Sequence, residues 1–200
     1  LSFFIENAPD EVGRAKYSAK QERSIGVGAL GFHAYLQKNN LAWESNEAKG
    51  ANLRMFRHIR SKLDEANLQL GKERGEAPDA EGTGNRFSHL MAIAPNASSS
   101  IIMGNTSPSI EPWRANAYRQ DTLSGAYLNK NKYLDAIITA YCEKHPRTNY
   151  DEVWSSIISN DGSVQHLTQL TKEEKGVFKT SMEIDQRWLI EHAADRQMYI

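Results

Sequence analysis

Residues 91–112 contain the part of this chain whose residue types best suit the binding of an anion. The apolar run Leu90–Ala94 predicts a short buried strand, which Pro95 ends because proline has no N–H to donate to a strand ladder. Small residues, among them three serines, follow at 96–100, and the apolar residues 101–103 predict a short helix. Backbone N–H groups and hydroxyls at the start of a helix attract negative charge. This order of residues therefore predicts a phosphate site where the strand passes into the helix.

The segment carries no charged side chain between Met91 and Ile110. A phosphate bound there would be held by neutral dipoles, so a metal ion or a catalytic base would have to come from another part of the protein. A simpler interpretation stays open, in which the serines only cap a helix and fill a turn, as serines commonly do.

Two blocks of this region resemble one enzyme family. The sequence Pro95-Asn-Ala-Ser-Ser-Ser100, followed by Gly104-Asn105 and Ser109-Ile-Glu-Pro112, resembles the substrate-phosphate loop of the large, catalytic subunit of class I ribonucleotide reductases. Asn96 stands where the family typically has a hydroxyl residue. The second block keeps the family spacing Asn-x-Tyr-x-x-x-x-Leu-Ser-Gly, through Asn116, Tyr118, Leu123, Ser124 and Gly125. The closing stretch Asp185–Arg196 is similar to phage and bacterial members, so the resemblance covers nearly the whole chain.

The resemblance implies an oxidoreductase that reduces ribonucleotides to 2′-deoxyribonucleotides through a thiyl radical and so supplies precursors for DNA replication. It implies a helix-rich α/β fold that is a partial ten-stranded α/β barrel, with several long helices and a few short strands. The substrate-phosphate site that it places in this chain consists of Pro95, Asn96, Ala97, Ser98 and Ser99, with Ser100 supporting the turn. Anchoring the phosphates, remote from the reacting ribose, suits a radical enzyme because the ribose must be held close to the thiyl group.

The resemblance assigns no catalytic residue and no metal ligand to this chain. The radical cysteine would lie before Leu1, the tyrosine pair of the radical relay beyond Ile200, and the allosteric nucleotide sites in an N-terminal half. The segment is therefore expected to bind no cofactor and to be inactive alone. The intact enzyme would depend on a radical-generating, metal-containing small subunit, on a second large subunit and on a ribonucleotide substrate.

The composition of the chain argues against several classes of protein. The 200 residues carry a formal net charge of −1, which gives no overall basic field for binding nucleic acid. No apolar run approaches membrane-spanning length, and a single cysteine excludes an internal disulfide and suits a reducing compartment. We therefore expect a cytoplasmic protein, in the host cytoplasm if a phage encodes it. Both ends lack the signals of a complete domain, which predicts that residues 1–200 are one fragment of the catalytic barrel domain of a longer chain.

The glycines of Gly26–Gly31 spell Gly-x-Gly-x-x-Gly, the fingerprint of dinucleotide-binding loops. Alternation over 24–29 predicts a short strand that runs into a helix at Gly31. The fingerprint also requires an acidic residue at the end of a second strand, whereas Glu44 and Glu47 occupy polar, helix-starting sequence. Close packing of strand and helix is therefore the favoured role of these glycines.

A long helix is predicted over about Ser45–Lys72, because apolar residues recur at helical spacing on one face. The members of this stripe are Leu53, Phe56, Ile59, Leu63, Ala66 and Leu70. The basic residues around His58 lie largely off the stripe, which predicts a solvated face. Gly71 and Gly75 are expected to end the helix, and Gly75–Gly84 is expected to form an exposed, mobile loop.

The residues after Pro112 alternate between apolar and polar, which predicts strands. Alternation at Ala115 and Ala117 and over 122–128 indicates one or two short strands. Arg114 and Arg119 could reach a phosphate, but exposed structural positions are the favoured interpretation for both.

The last third of the chain predicts helices. Lys130–His145 has one broad apolar face that includes Cys142, which is therefore expected in the core rather than in catalysis. Two pairs have capping-box spacing and start further helices: Asn149 with Glu152, and Thr171 with Glu174. The final helix, about Ile184–Ala194, contains His192 without a second histidine one turn away, so the zinc-binding pattern His-Glu-x-x-His is absent.

Two other functions fit parts of the sequence. A non-enzymatic helical interaction domain would use the stripe from Leu53 to Leu70 to pack on a partner and would bind no anion at Ser98. A nucleotide-binding oxidoreductase built on Gly26–Gly31 would require a long parallel sheet with the glycine turn at its carboxyl edge.

Overall fold

The computed structural model describes residues 1–122 and 125–200. Within these residues helices predominate, as the sequence predicts, and two strands accompany them. The helices are α1 (Ser2–Asn7), α2 (Gly13–Glu22), α3 (Phe32–Lys38), α4 (Asn46–Arg74), α5 (Ala97–Ile102), α6 (Lys132–Lys144), α7 (Tyr150–Ser159), α8 (Lys172–Val177) and α9 (Gln186–Gln197). The strands are β1 (Ala117–Thr122) and β2 (Gly125–Lys130), and 3₁₀ turns occupy Asp10–Val12 and Pro78–Ala80.

The chain divides into two compact units. The first comprises residues 1–28, 52–94 and 194–200, and the second comprises residues 29–51 and 95–193. The first unit therefore contains α1, α2 and most of α4. The second contains α3, the elements from α5 to α8 and most of α9.

In the first unit, the strands predicted over 24–29 and over Leu90–Ala94 are reduced to a single parallel bridge between Val27 and Met91. The prediction of a buried strand at Leu90–Ala94 is wrong, since Leu90 is the one buried residue of the five. Among the described residues no further strand pairs with either segment. Two isolated extended segments gain too few ladder hydrogen bonds to form longer strands.

Close packing explains the first two glycines of the Gly-x-Gly-x-x-Gly pattern. A Cβ atom at Gly26 would lie 2.8 Å from the Ala92 Cβ, and a Cβ at Gly28 would lie 2.7 Å from the Ala92 carbonyl oxygen. The described part of the chain contains no parallel sheet, which the dinucleotide-binding alternative requires. The glycines therefore permit a close backbone approach, as the sequence analysis favoured.

The long predicted helix is confirmed as α4. The Ser45 hydroxyl accepts the Ala48 N–H at 3.1 Å at its start. Phe56 is fully buried on the predicted stripe, whereas Ala66 is exposed. The basic side of the helix near His58 is exposed, as predicted.

Gly71 does not end α4, contrary to the prediction. The helix continues to Arg74, and Gly75, at φ 79°, follows its last residue. Gly71 instead permits a close approach between backbones, because a Cβ there would lie 1.9 Å from the Gly84 carbonyl oxygen. The physical reason for this glycine is tertiary packing rather than helix termination.

The segment Gly75–Gly84 is only partly exposed, which corrects the predicted exposed loop. Ala77 and Ala80 are buried. The Glu76 carboxylate accepts the Gly84 N–H at 3.0 Å, so the loop is closed by its own side chain. Polar composition predicted exposure here, but small alanines between polar residues can still be buried.

In the second unit, β1 and β2 form an antiparallel hairpin with Ala117 opposite Lys130 at one end, which confirms the predicted short strands. Leu123 and Ser124, two residues of the family-like block, lie outside the described residues. Cys142 packs against the core, as predicted. The principal core residues are Leu134, Ile138, Val153, Trp154, Ile157, Val164 and Phe178.

Local capping signals are also confirmed. Thr171 Oγ1 accepts the Glu174 N–H at 3.2 Å, and the Glu174 carboxylate accepts the Thr171 N–H at 2.8 Å, which is a reciprocal capping box. The Asn149 side chain accepts the N–H groups at the start of α7. The final helix α9 begins two residues after the predicted Ile184.

The described strands form one two-stranded sheet, so they do not by themselves form the ten-stranded barrel that the family resemblance implies. Among the described helices, none combines the length and the apolar character needed to cross a membrane.

Candidate functional site

The predicted phosphate loop lies at the start of the short helix α5. Asn96 occupies the N-cap position, and no side-chain hydrogen bond caps the helix there. The backbone N–H groups of Ala97, Ser98 and Ser99 donate to no acceptor among the described residues. These three residues and Pro95 are exposed, and Asn96 is half-buried. The loop therefore presents unused donors to solvent, which is the local geometry that an anion site requires.

Ser100 is the buried residue of this loop. Its N–H donates to the Asn96 carbonyl at 2.8 Å, and its hydroxyl donates to the Ala97 carbonyl at 2.7 Å. Its own carbonyl accepts the Thr106 N–H at 3.0 Å. Ser100 thus joins the start of α5 to the segment that follows the helix.

A cavity of about 1070 Å³ lies beside α5 within the second unit. Ala97, Ser100 and Ile101 line it from one face of the helix, and Ala97 is the member of the predicted phosphate site among the described lining residues. Arg114 and Arg119 also line the cavity. Both arginines are exposed, as predicted, but their position at the same cavity as α5 is not apparent from the sequence.

The segment 106–113 is anchored on the first turn of α3. The Gly31 N–H donates to the Ser107 carbonyl at 2.8 Å, and the Ala34 N–H donates to the Ser107 hydroxyl at 3.0 Å. Gly31 is the N-cap residue of α3 at φ 82°, and a Cβ there would lie 2.7 Å from Thr106 Oγ1. Only glycine combines this backbone conformation with the close approach of Thr106.

His33 is fully buried and contacts the same segment. Its Nδ1 accepts the Trp113 N–H at 2.9 Å, so Nδ1 carries no proton and the ring is neutral. Burial lowers the pKa of His33 to about 3, against an opposing contribution from the backbone carbonyl of Val177.

This buried histidine predicts a loss of stability in acid. The His33 side chain takes up a proton near pH 6.5 in the unfolded chain but only near pH 3 in the folded chain. The free energy of unfolding is therefore unaffected by this group above pH 6.5 and decreases as the pH falls from 6.5 to 3. The expected slope is about 1.4 kcal/mol per pH unit. Urea unfolding at pH 7 and at pH 4 measures the effect. His33 alone should lower the free energy of unfolding by about 3 kcal/mol at pH 4 relative to pH 7. His33→Asn, which keeps an acceptor but does not titrate, should remove that part of the loss; equal losses in both proteins would contradict the assignment.

Asn116 of the family-like block is buried in a network of amides. Its Nδ2 donates to the carbonyls of Gly162, at 3.0 Å, and Phe178, at 2.7 Å. Its Oδ1 accepts from Asn131 Nδ2 at 3.0 Å, and the same Asn131 amide donates to Gln37 Oε1 at 2.8 Å. Asn116 therefore holds the backbone that leads from the cavity into β1.

Tyr118 connects β1 to the end of α5. Its hydroxyl donates to Asn105 Oδ1 at 2.8 Å, and burial raises the pKa of this hydroxyl. Asn105 has a left-handed backbone, at φ 53°, which asparagine tolerates better than most residues. Tyr118 also lines the cavity, so the two family-like blocks meet at its wall.

His33, Ser107 and Asn131 were not predicted from the sequence. Each is a fully or nearly fully buried polar residue whose partner is remote in sequence. One available signal was Gly31, since a helix that begins at glycine has no side chain with which to cap itself. Across the described ranges, no group of three or more His, Cys, Asp or Glu residues is placed to hold a metal ion.

Comparison with known proteins identifies the family. The family described as "Ribonucleotide reductase, barrel domain" matches residues 1–83 and 77–200. The ribonucleoside-diphosphate reductase large subunits of Invertebrate iridescent virus 6 and Invertebrate iridescent virus 3 are 58% and 56% identical to the chain. Both alignments cover 100% of this chain, but 21% and 31% of the respective relatives, so the chain spans about a fifth to a third of their length.

A solved structure gives the same result. The Actinobacillus ureae class Id ribonucleotide reductase alpha subunit matches with a TM-score of 0.88 and 43% sequence identity, over 100% of this chain and 36% of that one. The family match extends over the whole sequence, including the phosphate-loop and Asn-x-Tyr blocks that first suggested it. The chain therefore belongs to the ribonucleotide reductase barrel-domain family.

Proposed function

We propose that the chain is a segment of a ribonucleoside-diphosphate reductase large subunit, which reduces ribonucleotides to 2′-deoxyribonucleotides. In that enzyme the segment supplies the substrate-phosphate loop and part of the barrel scaffold. The observation that carries this proposal is the set of unused N–H groups at Ala97, Ser98 and Ser99, in a loop with the family's order of residues.

The phosphates would bind to Pro95, Asn96, Ala97, Ser98 and Ser99. Exposed backbone donors at the start of α5 support this assignment, and the two serine hydroxyls add further donors. Because no charged residue lies in the loop, the site would hold the diphosphate without placing a titrating group beside the radical chemistry. Ser100 would support the turn through its bonds to Asn96 and Ala97.

The thiyl radical and the reducing cysteine pair would come from other parts of the large subunit. Cys142, the one cysteine of the sequence, is half-buried in α6 and packs against the core of the second unit. This position does not fit a radical-bearing thiol. No catalytic residue is therefore proposed in this chain, and no cofactor or metal is proposed to bind to it.

In the complete enzyme, the segment would form part of the ten-stranded α/β barrel. A second large subunit and a metal-containing, radical-generating small subunit would be its partners, and allosteric nucleotides would bind elsewhere. Large subunits of two iridescent viruses support this assignment, being similar to the chain over its full length. We propose a cytoplasmic location, in the host if a phage or another virus encodes the protein, with neither nucleic acid nor a membrane as a partner.

A chimeric large subunit tests the proposal. Residues 1–200 would replace the matching segment of the Invertebrate iridescent virus 6 large subunit, which is 58% identical. With its small subunit, the chimera should form deoxyribonucleoside diphosphates, whereas purified residues 1–200 should form none. A chimera that binds the small subunit and forms no product would contradict the proposal, as would product formation by the isolated chain.

A further inference from the structure

The first turn of α3 and the segment 107–113 make four hydrogen bonds among the described residues. Ser107 takes part in two of them, through its carbonyl to the Gly31 N–H and through its hydroxyl to the Ala34 N–H. The Ser109 carbonyl accepts the Phe32 N–H at 3.3 Å. The fourth bond runs the other way, from the Trp113 N–H to His33 Nδ1.

Ser107 performs for α3 the task that an N-cap side chain usually performs. An N-cap oxygen normally accepts an N–H of the first turn, but Gly31 has no side chain to do so. The Ser107 hydroxyl, 73 residues away from Ala34 in sequence, accepts this N–H instead. Because Ser107 is fully buried, no water can replace it without a rearrangement of the segment.

The two residues just before this segment hold the helix that begins at the proposed phosphate loop. Thr106, next to Ser107, donates its N–H to the Ser100 carbonyl at 3.0 Å, and Asn105 donates its N–H to the Ile101 carbonyl at 3.1 Å. Ser100 in turn donates its hydroxyl to the Ala97 carbonyl at the start of α5. Hydrogen bonds and the backbone of residues 105–107 thus connect α3 to the loop.

We propose that Ser107 and His33 are positioning residues for the substrate-phosphate loop and set where the free N–H groups of α5 point. Neither side chain is proposed to touch the substrate. The inference rests on the proposed function, because it concerns the same phosphate site. It also gives a role to Gly31, the third glycine of the Gly-x-Gly-x-x-Gly pattern. Without a side chain, Gly31 leaves room for Thr106, and the Ser107 hydroxyl accepts the first-turn N–H in its place.

Three variants of the chimeric large subunit test this role. Ser107→Ala removes the hydroxyl, and His33→Leu keeps the approximate size of the ring but removes the acceptor. Each should raise the KM for a ribonucleoside diphosphate about tenfold and leave kcat within about twofold, because displaced N–H groups weaken binding of the phosphates throughout the reaction. His33→Asn places an acceptor near the position of Nδ1 and should restore the KM to within about threefold of the parent.

The matched control is His192→Asn. His192 is also fully buried in the second unit, and its Nε2 lies 3.0 Å from the Trp43 carbonyl oxygen. This variant should lower the melting temperature without changing the KM. A merely structural role for Ser107 and His33 would likewise reduce the amount of active enzyme, and so kcat, at unchanged KM.

The outcomes separate this inference from the proposed function. If Ser107→Ala and His33→Leu leave the KM unchanged while glutamate at Ser98 or Ser99 raises it, the positioning role is wrong and the phosphate site stands. If none of these variants changes the KM, the phosphate site itself is wrong. Hydrogen exchange of the Ala34 amide in the full 200-residue chain gives a readout besides activity: Ser107→Ala should speed it about tenfold or more, and unchanged exchange would overturn the cap.

Discussion

Replacing Ser98 or Ser99 with glutamate should raise the KM for a ribonucleoside diphosphate about 100-fold in the chimeric large subunit. Both serines are exposed at the start of α5, and their N–H groups have no acceptor in the described part of the chain. A carboxylate there would compete for these donors and repel the diphosphate, and like-charge contacts of this kind cost several kcal/mol. A loss of about 3 kcal/mol in binding corresponds to a change of about 100-fold. Steady-state kinetics over a range of substrate concentrations measures it.

The matched control is Ser155→Glu, the same substitution at an exposed serine of α7 in the same unit. It should leave the KM unchanged, because Ser155 belongs neither to the loop nor to the lining of the cavity beside α5. An unchanged KM in both Ser98→Glu and Ser99→Glu would refute the phosphate-site assignment.

Gly71→Ala should destabilise the chain by about 3 kcal/mol, although alanine is normally the better helix residue by about 1 kcal/mol. The new Cβ would lie 1.9 Å from the Gly84 carbonyl oxygen and 2.8 Å from the Gly84 carbonyl carbon, so the backbone of the loop must move. For a protein of this size the melting temperature should fall by about 10 °C. Thermal unfolding followed by circular dichroism measures the change.

Gly13→Ala provides the opposite expectation in the same unit. Gly13 begins α2, and a Cβ there would meet no atom within 4 Å. This variant should be neutral or more stable by up to about 1 kcal/mol, as helix propensity predicts. If Gly71→Ala were as stable as Gly13→Ala, the close approach of α4 and Gly84 would not exist in solution.

Much of the helical structure follows from local sequence. The capping box of Thr171 and Glu174, the Asn149 cap and the apolar stripe of α4 each involve residues within a few turns of one another. Such interactions are short-ranged, so the order of residues decides them. The hairpin of β1 and β2 is similarly local, because its strands are adjacent in sequence.

The candidate site was only partly predictable. The family order of residues and the absence of charge predict a phosphate site at Pro95–Ser99 from the amino-acid sequence alone, and the proposal still rests on them. The residues that line the cavity were not predictable. Arg114 and Arg119 lie at its wall, whereas the sequence predicted only that both are exposed.

The sequence by itself determined the family, the long helix α4 and the capped helices, and it is the basis for the proposed phosphate site at Pro95–Ser99. Only the tertiary structure decided that Gly71 packs against Gly84 instead of ending α4, that Leu90–Ala94 forms one bridge instead of a strand, and that Ser107 caps α3. The physical reason is the same in each case. These contacts join groups that are 13 to 73 residues apart in sequence, or depend on how many strands pair with a segment. No local pattern of residues encodes which distant carbonyl or hydroxyl will meet a given N–H.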